Sequence, residues 1–109
     1  MSYRSAFVYD QILSQHVLSP KHPLKPRRLQ YTYDLLDSYG IFDSSRVSIV
    51  KPRLAKYEEV LSFHSSCYVD TVRRISEGDE VADLVSFGFG TVDNPVYSNM
   101  YESALWSSG

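Results

Sequence analysis

The order of the predicted elements indicates an α/β fold with a mainly parallel sheet. Two short apolar runs, 5–9 and 47–50, predict strands, and helical periodicity after Pro26 predicts a helix between them. Three further helices are predicted beyond the second strand. The length of 109 residues favours one domain, over 1–109. A parallel sheet of only two strands is a poor independent fold, so we expect the chain to be part of something larger.

The first strand is predicted from the unbroken run Ala6-Phe7-Val8-Tyr9. Aromatic and β-branched residues in succession are typical of a strand that is buried on both faces, as in a parallel sheet. The region 11–23 is predicted to be a loop with one helical turn at Ile12 and Leu13. Pro20 and Pro23 keep its far end extended.

Four helices are predicted from apolar spacing and from capping residues. The first begins at Pro26 and ends at Gly40, since proline suits a first helical turn and glycine suits a helix end. The second covers 57–64 and ends at His64. Ser65 or Ser66 is expected to cap the third, which ends at Gly78, and the fourth begins near Ser98.

Composition excludes several classes of function. A net charge of -2 gives no general argument for binding nucleic acid or an anionic membrane. No apolar run is long enough to cross a bilayer or to form a signal-peptide core. Cys67 is the single cysteine, so an intramolecular disulfide is excluded, and we expect a buried or inert thiol in a reducing compartment. The predicted location is cytoplasmic, or nuclear in a eukaryote.

The histidine pattern predicts no metal site. The chain has three histidines, at 16, 22 and 64, and no pair of them has the short spacing that is typical of zinc ligands. We therefore expect no metal ligand and no catalytic residue in this chain.

Two segments stand out as candidates for function. One is the proline-rich basic turn His22-Pro23-Leu24-Lys25-Pro26-Arg27-Arg28-Leu29, and the other is the loop Gly90-Thr91-Val92-Asp93-Asn94-Pro95-Val96-Tyr97. Local explanations exist for each residue: His22 as a solvated loop residue, Arg28 as a surface cation and Asp93 as a turn former. The alternative for Asp93 is a loop-borne acceptor that binds the backbone N–H groups of a ligand.

Together with His64-Ser65, Tyr68-Val69 and Met100-Tyr101-Glu102, these segments resemble, in order, the N-terminal part of the histone deacetylase family, in its acetoin-utilisation-type branch. The resemblance implies an arginase-like three-layer α/β fold and zinc-dependent amide hydrolysis. It places Asp93 at the rim that holds the substrate backbone, and it places Arg28, His22 and Pro23 at an internal channel below the active site. Lys56 and Ser98-Asn99 depart from the family pattern at two helix starts.

The family's later zinc ligands and catalytic tyrosine have no counterpart here, so the chain is expected to stop before the metal site. We expect a zinc-dependent deacetylase in the full-length form and an inactive chain alone, with no cofactor of its own. Its partner would be the remainder of the deacetylase domain, and acetyl-lysine or a small acetyl amide would bind only to the complete enzyme. The alternative is a non-catalytic interaction module that associates through its last helix, 100–106, with a partner or a second copy.

Overall fold

The computed structural model describes residues 4–109. Its main elements follow the predicted order: β1 Ser5–Val8, α1 Arg27–Ser38, β2 Val47–Val50, α2 Tyr57–Leu61, α3 Ser66–Ser76 and α4 Met100–Ser108. Short 3₁₀ turns lie at Gln11–Ser14, Ile41–Asp43 and Val85–Phe87. The predicted helical turn at Ile12 and Leu13 is confirmed by the first of these.

The two strands pair in parallel, with Phe7 opposite Ile49 and Val8 opposite Val50. A mixed α/β arrangement with a small parallel sheet is therefore confirmed for the described residues. Gly40 has a φ of 72° directly after α1. This left-handed backbone is the conformation that glycine adopts without a Cβ clash, and it ends the helix where predicted.

The expectation that the first strand is buried on both faces is wrong. Phe7 turns toward α1, where it belongs to an aromatic cluster with Tyr9, Tyr33 and Phe42. Val8 points the other way and is 55% exposed. Because successive strand side chains alternate in direction, a sheet with α1 against one face leaves the next residue open on the other.

The second helix is shorter than predicted and ends at Leu61 rather than at His64. The Ser62 hydroxyl donates to the Glu59 carbonyl, and the Phe63 N–H donates to Val60, three residues back. Such bonds compete with the regular α-helical pattern and tighten the last turn. His64 therefore lies in the turn between α2 and α3, with its ring stacked on Tyr68 at a centroid distance of 5.1 Å.

The third helix begins as predicted, and the structure selects Ser65 as its cap. The Ser65 hydroxyl accepts a hydrogen bond of 3.2 Å from the Tyr68 N–H. The side chains of α3 that face the core pack with Phe89 and Met100. This cluster and the aromatic cluster beneath α1 form the two apolar centres of the described chain.

The fourth helix begins at Met100, two residues beyond the predicted start at Ser98. Asn99 precedes it with a φ of 62°, and asparagine is among the few residues that tolerate this left-handed region. The helix packs against α3 and against the 3₁₀ turn Gln11–Ser14. Met100 is buried, whereas Tyr101, Leu105 and Trp106 are half-buried.

The molecule is flat and elongated. Its radius of gyration is 16.8 Å and its extents are 52 × 33 × 18 Å. A compact domain of this length has a radius of gyration of about 13 Å. Within residues 4–109, no helix combines the length and apolar character required for a membrane span.

Candidate functional site

The loop that carries Asp93 is built on a fixed base. Phe89 is buried in the cluster with Ile75 and Met100, which anchors the start of the loop. The Asn94 side-chain amide donates to the Gly88 carbonyl, and the Gly90 N–H donates to the Asn94 carbonyl at 3.0 Å. These bonds close the loop across its neck, so that residues 91–93 form a projecting tip.

The tip itself is held by fewer bonds. The Thr91 hydroxyl accepts a hydrogen bond of 3.1 Å from the Asn94 N–H. The local turn therefore depends on Thr91 and Asn94, and the Asp93 side chain takes no part in it. Val92, beside Asp93, is 90% exposed. Among the residues that the structure describes, the Asp93 carboxylate has no hydrogen-bond or ion-pair partner, and it faces solvent.

The basic turn around His22 is closed by its own side chains. The Lys25 ammonium donates to the Pro20 carbonyl at 2.7 Å and, at 3.4 Å, to that of Ser19. The His22 N–H donates to the Ser19 carbonyl at 3.2 Å. With Pro20, Pro23 and Pro26 fixing the backbone between these bonds, the turn is a rigid support for the imidazole.

The structure brings the two candidate segments together. The Nε2 atom of His22 donates to the backbone carbonyl of Asp93 at 2.9 Å, across 71 residues of sequence. Both residues were predicted as candidates, but the resemblance placed Asp93 at the rim and His22 at the channel. Their contact is the link between the two loops.

Arg28 and Pro23 are not part of this contact. Arg28 lies in the first turn of α1 with an exposed side chain, and its backbone carbonyl accepts a bond from the Thr32 hydroxyl. Pro23 is exposed as well. The assignment of Arg28, His22 and Pro23 to an internal channel stays a prediction.

Two further polar contacts were not anticipated from the sequence. The Arg53 guanidinium binds Glu59 through two bonds of 2.8 and 2.9 Å, which lowers the pKa of the Glu59 carboxyl. The Tyr57 hydroxyl donates to Asp70 at 2.9 Å, and this bond raises the pKa of the Tyr57 phenol. The early carboxylates of α2 were the available signal for the first contact, since Arg53 lies just before that helix. The second contact depends on how α2 and α3 meet.

An open cavity of about 410 Å³ lies between α2, α3 and α4. Its walls are mostly apolar and aromatic, with His64 and Asn94 among the polar groups; the apolar lining includes Val60, Phe63, Tyr68, Val72, Phe89, Tyr97, Met100 and Leu105. Cys67 lies near the start of α3 and is exposed. We expected a buried or inert thiol, and burial is wrong, whereas the expectation of an inert thiol stays a prediction.

A model of the histone deacetylase domain matches residues 22–109, a range that includes both His22 and Asp93. The chain belongs to the histone deacetylase domain family.

Relatives of this deacetylase-family chain come from eukaryotes and bacteria. It is 34% identical over 107 residues to type-1 histone deacetylase 1 of Dictyostelium discoideum, covering 95% of this chain and 21% of that protein. It is 36% identical over 101 residues to acetoin utilization protein AcuC of Bacillus subtilis, covering 92% of this chain and 26% of that protein. The chain spans about a fifth to a quarter of the length of these relatives.

Deacetylases of this family are generally zinc-dependent. Within 4–109, no three His, Cys, Asp or Glu side chains lie close enough together to hold a metal ion. The Nε2 atom of His22 is bonded to Asp93, and the His64 ring is stacked on Tyr68. A zinc site needs about three or four such ligands at one point. The side chains of residues 4–109 therefore do not form a zinc site by themselves.

Proposed function

We propose that this chain supplies the N-terminal part of a zinc-dependent deacetylase that hydrolyses acetyl-lysine or a small acetyl amide. Its own contribution is to bind the substrate, through Asp93, and the catalytic groups and zinc ligands come from residues outside these 109. The complete domain would have the arginase-like three-layer α/β fold, of which β1, β2 and the helices around them are a part.

The observation that supports this proposal is the exposed Asp93 carboxylate at the tip of a loop whose neck and backbone are fixed. A carboxylate accepts hydrogen bonds from backbone N–H groups, and such charge-assisted bonds are short and strong. An unpartnered carboxylate on a held loop is thus suited to orient an extended peptide beside the amide that is cleaved. Holding the substrate in one geometry is itself a large part of catalysis.

The substrate class is proposed at the level of the family. The relatives include histone deacetylases and a protein of acetoin utilization, at identities of 33–36%. We propose the acetoin-utilisation-type branch from the resemblance of the two loop motifs. An acetylated protein or peptide gives Asp93 a backbone to bind, whereas a small acetyl amide does not.

The second candidate function is a non-catalytic interaction module. The open cavity of about 410 Å³ beside α4 favours it, because an apolar surface of this kind is suited to a partner or a second copy of the chain. In that case, Tyr101, Leu105 and the neighbouring half-buried residues of α4 would complete the contact.

An activity assay tests the first proposal. The 109-residue chain with zinc is expected to give no turnover of an acetyl-lysine peptide above a zinc-only blank. A hybrid in which this chain replaces the matching segment of Bacillus subtilis AcuC is expected to be active. Turnover by the chain alone, or a folded, zinc-loaded hybrid without activity, would contradict the proposal.

A further inference from the structure

The imidazole of His22 is held by both of its nitrogen atoms. Nδ1 lies 3.1 Å from the Leu24 backbone nitrogen, whose N–H it accepts, and Nε2 lies 2.9 Å from the Asp93 carbonyl oxygen. A carbonyl oxygen only accepts, so Nε2 must carry the proton. Nδ1 accepts, so it must be free of one. The two bonds therefore define a single neutral tautomer with a fixed ring orientation.

One side of this contact is rigid and the other is not. The His22 ring belongs to the turn that the Lys25 hydrogen bonds and three prolines make rigid. The Asp93 peptide, by contrast, belongs to the tip beyond the bonds that close the neck at Asn94. Within the described chain, the bond from His22 is the only hydrogen bond to the Asp93 backbone. Without it, the peptide plane between Asp93 and Asn94 keeps only the 3.1 Å bond from the Asn94 N–H to the Thr91 hydroxyl. We therefore expect the tip, with the Asp93 carboxylate, to sample more orientations.

We propose that His22 is a positioning residue: its Nε2–H fixes the Asp93 peptide so that the Asp93 carboxylate points at the backbone of a peptide substrate. This inference rests on the proposed function for the role of Asp93, but the contact itself can be tested without activity. The proposal places His22 at the substrate rim, whereas the resemblance placed it at the internal channel. A substrate that has no peptide backbone should not depend on His22.

Two substitutions separate the two bonds of the ring. In His22→Gln, the longer side chain keeps an amide N–H near the position of Nε2, so it still reaches the Asp93 carbonyl. In His22→Asn, the shorter side chain keeps an acceptor near Nδ1 for the Leu24 N–H but falls short of Asp93. If the turn at Leu24 were all that mattered, Asn would be the better replacement. If the contact to Asp93 matters, Gln is better.

The first measurement is NMR of the AcuC hybrid, in which the remainder of the domain is present, with ¹⁵N-labelled histidine and ¹³C-labelled carbonyl carbon at Asp93. We expect one protonated Nε2 on His22, with a scalar coupling across the hydrogen bond to the Asp93 carbonyl carbon. The exposed His64 is the internal comparison. A His22 ring that exchanges between tautomers, or that lacks the coupling, would overturn the proposal whatever the activity of the hybrid.

The second measurement is the activity of the AcuC hybrid on an acetyl-lysine peptide and on a small acetyl amide. Loss of one neutral hydrogen bond predicts that His22→Asn lowers kcat/KM on the peptide about three- to tenfold, mostly through KM. The small amide should be unaffected, and His22→Gln should recover most of the loss. Lys21→Ala, in the same turn, is the control for general disturbance.

The double variant gives the sharpest outcome. When Asp93→Ala is present, His22→Asn should cause no further loss on the peptide, because the group that it positions is gone. Three results would each overturn the positioning role. They are an equal loss of kcat/KM on both substrates, additive losses in the double variant, and a higher kcat/KM on the peptide for His22→Asn than for His22→Gln. An inactive unmutated hybrid would count against the proposed function alone, and the NMR result would still decide the His22–Asp93 contact.

Discussion

The loop around Asp93 is formed by its neighbours, and the Asp93 carboxylate is not needed to form it. Thr91 and Asn94 form the turn, and Phe89 anchors it in the core. This leaves the Asp93 carboxylate free, although an aspartate before Asn-Pro is commonly a turn former itself. A residue that is not needed for its own loop is available for a ligand.

Asp93→Ala is expected to lower turnover of an acetyl-lysine peptide without loss of zinc in the AcuC hybrid. Loss of hydrogen bonding to a charged acceptor costs about 1.5–3 kcal/mol, so kcat/KM should fall roughly ten- to a hundredfold. Small acetyl amides should be less affected, since they offer no backbone N–H. Glu80→Ala, which removes another exposed carboxylate, is the matched control. Equal loss on both substrates, or loss of zinc, would assign Asp93 to the structure of the loop.

Glu59 gives a pH dependence of stability. Its pKa is lowered mainly by the hydrogen bond from Arg53, so the carboxylate stabilises the folded chain above the ordinary carboxyl pKa of 4.5. This contribution is lost as the pH falls through the lower folded-state pKa. Glu59→Gln is therefore expected to lower Tm at pH 7, and its difference from the unmutated chain should vanish in acid.

Thermal unfolding followed by circular dichroism between pH 7 and pH 2 measures this difference. Glu58→Gln is the control, because Glu58 is the adjacent exposed carboxylate of α2. A Tm difference between Glu59→Gln and the unmutated chain that stays constant with pH would show that the ion pair with Arg53 does not stabilise the fold. A difference of the same size for Glu58→Gln would show the same. Both side chains are well exposed, so added salt should also reduce the effect.

At the scale of elements, the sequence predicted what depends on neighbours in the chain. The parallel strands, the end of α1 at Gly40 and the start of α3 follow from apolar spacing, a glycine and a capping serine. The length of α2 was not predictable, because it depends on the Ser62 hydroxyl competing for backbone bonds. The exposure of Val8 was not predictable either, since a strand does not encode how many of its faces a helix will cover.

The cap of α3 provides a direct test. Ser65→Ala removes the acceptor for the Tyr68 N–H and should destabilise the chain by about 1 kcal/mol. Ser66→Ala changes the next serine, which is the first residue of α3 and does not form this bond. It should be neutral within about 0.5 kcal/mol. Urea unfolding of the two variants in the AcuC hybrid compares them, and equal losses would contradict the assignment of the cap to Ser65.

At the scale of the whole molecule, the site depends on contacts between distant parts of the chain. His22 and Asp93 were both predicted as candidates from their motifs, but the bond between them spans 71 residues. Local sequence does not specify such a contact. It arises because α3 and α4 anchor the Asp93 loop while the prolines hold the His22 turn. The contacts between these two segments show that His22 and Asp93 are partners.

The flat shape leads to the last prediction, on how the isolated chain unfolds. In the described residues no large side chain falls below 2% exposure, and the buried apolar residues are few: Tyr9, Ala55, Val69, Ile75, Phe89 and Met100. A two-stranded sheet with one open face adds little more stability. We therefore expect the chain alone to be a monomer that unfolds with weak cooperativity, binds a hydrophobic dye and tends to aggregate.

Sedimentation velocity, together with urea unfolding, measures this behaviour. The hybrid with AcuC should unfold more sharply than the chain, because the remainder of the domain would cover the open sheet face and the cavity beside α4. A discrete, stable oligomer of the chain with a sharp transition would instead favour the interaction module. In that case Leu105→Asp, which places a charge in the cavity wall, should dissociate the oligomer, whereas Glu80→Ala should leave it intact.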